Sequence, residues 1–119
     1  MTVEDLHAVT GEHAGQCRRL ADVLTLTRKM LDHAAEGDWD SVTAMEQRRR
    51  DDLRVCFQES TAPEHGELVA EALAVILHMN EELMAKLRAA RDAVLQQGVD
   101  QARTRSAIGQ YQNVKHAQG

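Results

Sequence analysis

Histidines and carboxylates at metal-ligand spacing are the first residues that could do chemistry. Glu4-x-x-His7 is the one Glu-x-x-His pair in the chain, and a di-iron helical bundle needs that motif on two helices. The other histidines, His13, His33, His65, His78 and His116, are scattered, and they complete no ligand set. Ser41, Ser60 and Ser106 have no base and orienting group at a spacing that would activate a nucleophile. Glycine-rich phosphate loops are absent. Cys17 and Cys56 are the only cysteines. They could form a redox switch, or they could be two small apolar side chains in a core. The residue types therefore predict no enzyme, no metal and no cofactor, and they direct attention to surfaces.

Those surfaces are helical. Aromatic residues make up 3% of the chain and there is a single proline, which suits helix packing and suits a β-sandwich poorly. From Glu64 to Gln97 there is no proline and one glycine, Gly66, near the start. Val69, Leu73, Ile76, Asn80, Leu83, Leu87, Ala90 and Val94 follow a four–three spacing that lines one stripe of a helix. Such a rod is about 50 Å long, too long for a core of 119 residues to enclose. Asn80 interrupts the stripe, either to fix register or to face a partner.

A helix over about 16–36 carries a wide apolar face, with Cys17, Leu20, Leu24 and Leu31 on one stripe and Val23, Leu26 and Met30 beside it. Glu36-Gly37-Asp38-Trp39 then reads as a tight turn. Gly37 can take a left-handed C-cap and Asp38 can cap the next helix. A second helix over about 39–58 must lie antiparallel to the first, because the connection is so short. Folding the chain at Gly37 sets Leu31 opposite Val42, Leu20 opposite Leu53 and Cys17 opposite Cys56. Glu46 and Arg49 sit three residues apart in that seam and can pair. Pro63 suits the first turn of the long helix. Gly98 should end that helix, with Asp100 capping a weak fourth helix over about 101–116 that Gly109 interrupts.

The predicted fold is thus all-α: an antiparallel bundle of three main helices, the first–second hairpin packed on a long third, with a loosely docked C-terminal fourth helix. Residues 1–14 read as a mobile leader, because Gly11 and Gly15 cut a weak apolar stripe, and residues 15–119 read as a single helical domain. Net charge is −5, which argues against nucleic acid as the main partner. No apolar run is long enough to span a membrane, and the N-terminus lacks the regions of a signal peptide. The expected location is cytoplasmic. A two-faced first helix and a long third helix are equally compatible with a homodimer.

The run Met30-Leu31, Ala34, Gly37-Asp38-Trp39-Asp40, Val42, Met45-Glu46, Arg49, Leu53 and Phe57 resembles the flagellar export chaperone family FliT. Ile76-Leu77, Met79-Asn80, Leu83, Arg91-Asp92 and Ala107-Ile108-x-x-Tyr111 are similar too. The chain departs from the family pattern at Asp52, Asn80 and Gly109. The resemblance implies a helical chaperone of flagellar type III secretion. It implies binding to the C-terminal helical part of the filament cap protein FliD and delivery to the export ATPase complex and export gate. The alternative it implies is an anti-activator that sequesters the flagellar transcription regulator. It also implies a last helix that restrains binding. Because the C-terminal segment is poorly amphipathic, deletion of residues 101–119 should tighten binding and leave the fold intact. The residues expected to meet a partner are Leu77, Met79, Met84, Leu87, Ile108, Tyr111 and Val114. Those expected to hold the scaffold are Gly37, Asp38, Trp39, Glu46, Arg49 and Leu53.

Overall fold

A computed structural model describes the backbone of residues 1–118 and the side chains of residues 1–112. Within that span every regular element is helical. The order is α1 (Val3–His7), α2 (Ala14–Ala35), α3 (Trp39–Cys56), a 3-10 turn at Pro63–His65, and α4 (Gly66–Gln118). The chain divides into two compact units, Met1–Lys86 and Leu87–Gly119.

In the first unit α2 is the central element. Leu20, Val23 and Leu24 of α2 enter one core cluster with Cys56 of α3 and Val69, Ala72, Ile76 and Met79 of α4. A second cluster joins Met30 and Ala34 of α2 to Val42 of α3 and Leu83 of α4. The wide face of α2 therefore serves more than one neighbour. The turn between α2 and α3 closes as predicted. Gly37 has φ +76°, and its N–H and that of Asp38 donate to the carbonyls of Ala34 and His33. This satisfies carbonyls that the end of α2 leaves free.

Three expectations are corrected. The segment 1–14, read as a mobile leader, holds α1, a short helix with a reciprocal Thr2–Asp5 capping box. Its Leu6 is fully buried in the first cluster, and Gly11 supplies the turn with φ +104°. Met1, Val3 and Val9 pack, partly buried, against the same cluster, so the weak stripe of Val3, Leu6 and Val9 together with a well-capped turn docks this segment. The buried stripe of α4 is also rotated from the predicted one. Val69, Ala72, Ile76, Met79 and Leu83 are buried, whereas Leu73 and Asn80 are only half-buried. Alanine at position 72 permits close approach, and the rotation places Asn80 at the side of the stripe.

The third correction concerns Gly98. No separate fourth helix begins at residue 101, because α4 continues through Gly98 and Gly109. Neither glycine has positive φ. An interior glycine costs only about 1 kcal/mol relative to alanine, less than breaking a helix. Asp100 does not cap; its carboxylate accepts from Gln96 Nε2 at 3.1 Å, and its carbonyl accepts from the Thr104 hydroxyl at 3.0 Å.

Candidate functional site

The scaffold residues form two polar groups in the first unit. At the hairpin, Asp38 caps α3. One carboxylate oxygen accepts from the Ser41 amide at 3.2 Å; the other accepts from the Ser41 hydroxyl at 2.6 Å and faces His33 Nδ1 at 3.2 Å. The Ser41 hydrogen bonds, more than the nearby His33, hold the Asp38 carboxyl below its usual pKa. Trp39 packs half-buried against the second cluster.

The other group lies inside the bundle. Arg49 of α3 is buried. Its guanidinium pairs with Glu46 one turn back. It donates to Asn80 Oδ1 of α4 at 2.6 Å and reaches Thr27 Oγ1 of α2 at 3.4 Å. Three helices thus converge on one charged side chain. Glu46 also meets Arg50 at 3.5 Å. Leu53 packs, half-buried, against the first cluster. At the open end of the hairpin, Gln16 Nε2 donates to the carbonyls of Cys56 and Glu59 at 3.2 and 3.3 Å.

Cys17 and Cys56 are free thiols in one buried cluster. Burial raises both pKa values, that of Cys56 to about 11. Neutral buried thiols are poor nucleophiles, so the arrangement suits core packing.

Partner-facing candidates divide differently. In the first unit Leu77 and Met84 are exposed, but Met79 is 5% exposed and belongs to the core. Met79 is therefore withdrawn as a contact residue. It lies on the rotated stripe that α4 turns toward α2. In the second unit Leu87, Ile108 and Tyr111 are exposed, Tyr111 at 71%. Val114 lies outside the described side chains. Sequence reasoning passed over Val94, Leu95 and Val99 as contact residues, yet all three are exposed. Val94 closes the four–three stripe of the long helix, and Leu95 and Val99 lie off that stripe. So many large apolar side chains on one helix, with no described neighbour covering them, are the feature of the chain that asks for a partner.

A family model described as flagellar protein FliT matches residues 18–113. The chain belongs to the FliT family. No curated protein and no solved structure matches it. Membership gives a flagellar chaperone role in general terms, in a family not known for enzymes. The matched span takes in the α2–α3 hairpin, the Arg49 cluster and nearly all of α4, and it leaves out α1. The FliT match therefore rests on the scaffold and on the exposed apolar helix together.

Proposed function

We propose that this FliT-family chain is a flagellar export chaperone that binds the C-terminal helical part of the cap protein FliD. It keeps that protein soluble and hands it to the export ATPase complex and export gate. The work is done in the cytoplasm; among the described residues no helix is long and apolar enough to cross a membrane. The observation that carries the reading is the exposure of Leu87, Val94, Leu95, Val99, Ile108 and Tyr111 on one helix of a FliT-family chain. An amphipathic helix from a partner would bury such side chains against its own apolar stripe. Leu77 and Met84 offer exposed apolar surface in the first unit, and methionine adapts readily to different neighbours.

Calorimetric titration of the full chain with a C-terminal FliD fragment tests this. Saturable one-to-one binding is expected. Leu95→Ser with Val99→Ser should weaken it by about tenfold or more, since buried leucine and valine each contribute roughly 1.5–3 kcal/mol. Neither residue belongs to a core cluster, so the melting temperature should not move. A folded chain that fails to bind the fragment would sink the proposal.

A further inference from the structure

The two units carry opposite charge. Up to Lys86 there are nine Lys/Arg against seventeen Asp/Glu; from Leu87 onward there are five against two. In the second unit Arg91, Leu95, Val99 and Arg103 recur at every fourth residue of one helix. Residues four apart lie along a single ridge of an α-helix. Leu95 is 62% exposed and Val99 45%. Arg88, seven residues before Leu95, shares its face.

These arginines are not engaged as those of α3 are. In α3, Arg48, Arg49, Arg50 and Arg54 each reach a carboxylate of their own helix. Among the described residues, no carboxylate lies within 4.0 Å of Arg88, Arg91 or Arg103. Asp100, three residues before Arg103, is taken by Gln96 instead. The ridge therefore presents two apolar anchors with an unpaired guanidinium at each end.

Resting on the chaperone reading above, we infer that this ridge selects its partner by charge. It takes an amphipathic helix whose apolar stripe is bordered by carboxylates. Residues 91 and 103 are about 18 Å apart along the axis at 1.5 Å per residue. The matching partner helix has two apolar residues four apart, with Glu or Asp one turn outside each. Guanidinium forks bind carboxylates in a fixed, bidentate geometry, so the end charges set the register while the apolar pair supplies contact area. Charge of this kind changes association rate and partner choice more than it changes total affinity. An anionic lipid surface also attracts basic apolar helices. The ridge suits it less well, because it is only two apolar residues long and Asp92 and Gln96 border it.

Two synthetic helices test the assignment. They share the same apolar residues and differ only in Glu or Lys at the bordering positions. Fluorescence anisotropy against the full chain should show the Glu-bordered helix bound about tenfold more tightly, with the advantage shrinking as salt rises. The double variant Arg91→Glu/Arg103→Glu should reverse the preference, with circular dichroism confirming an unchanged fold. Equal affinity for both peptides, binding of neither, or a preference that the double variant leaves alone overturns the inference. So does capture of phosphatidylglycerol vesicles with no binding of the Glu-bordered peptide. The FliD fragment is titrated in parallel. If it binds regardless of salt and of the double variant, the ridge assignment fails and the chaperone reading stands. If the Glu-bordered peptide binds and the fragment does not, the choice of FliD fails and the ridge assignment stands.

Discussion

Arg49 is the one charged side chain buried among the described residues, and its partners come from three helices. Arg49→Met keeps an apolar side chain of useful length but strips Asn80 of its donor. Urea unfolding should show a loss of about 1–3 kcal/mol, the cost of an unmade bond to a charged group. Asn80→Leu should cost a similar amount, about 1–3 kcal/mol, by leaving a buried guanidinium short of an acceptor. Because the two residues touch, the double variant should be milder than the sum by about 1 kcal/mol; strict additivity would show that the bond contributes nothing. Asp38 gives a pH signature. Its folded pKa is depressed by the Ser41 hydrogen bonds, so its contribution to stability is full above the unfolded carboxylate value and is lost as pH falls through the lower folded value. Wild type should therefore melt above Asp38→Ala at neutral pH, and the gap should close only in acid. A gap that persists unchanged at the lowest pH would contradict the capping role. Glu46, Arg49 and Asp38 were legible in the sequence because their partners lie three residues away. The meeting of Arg49 with Asn80 was not, since it depends on how α4 is rotated against the hairpin.

Local signals located the hairpin and non-local ones shaped α4. Gly37 with Asp38 fixes where the chain reverses, and the register that follows places Cys17 near Cys56 in one cluster. Short-range turn chemistry and a strong apolar period agree there, so the hairpin could be read directly. At Gly98 and Gly109 the same reading overvalued glycine as a stop. A Cβ built at either position meets nothing within 4 Å, and neither φ is positive. Gly98→Ala and Gly109→Ala should each favour the helix by about 1 kcal/mol, seen as a rise in the 222 nm ellipticity of the full chain. A fall would mean that the chain turns at that glycine. Gly37→Ala should act oppositely, at a cost of about 1–2 kcal/mol, because its φ of +76° strains any residue with a Cβ. The α1 helix escaped notice for a different reason. Leu6 is the one fully buried side chain of that helix, with Val3 and Val9 packed against the same cluster, and a stripe of three residues cut short by Gly11 is too brief to set a clear period.

The division of the chain into a packed, acidic unit and a basic helical one assigns stability and binding to different residues. Among the described residues every buried hydrophobic side chain precedes Lys86, so the described part of the second unit adds little to the core. A last helix folded back over a binding surface would, on removal, free that surface and tighten binding. Residues 101–118 continue α4, and the side chains described there are exposed. On the proposed chaperone reading, Ile108, Tyr111 and the ridge residue Arg103 are contacts offered to a partner, and removing them takes contacts away. Deletion of residues 101–119 should leave the unfolding midpoint where it is. Affinity for the FliD fragment should fall by about tenfold, the effect of losing one well-buried aromatic or leucine-sized anchor. Calorimetry on the truncated and full chains decides between the two pictures by sign alone. Tighter binding after truncation would restore a masking role for the C-terminal turns, and it would limit the partner surface to residues before 101.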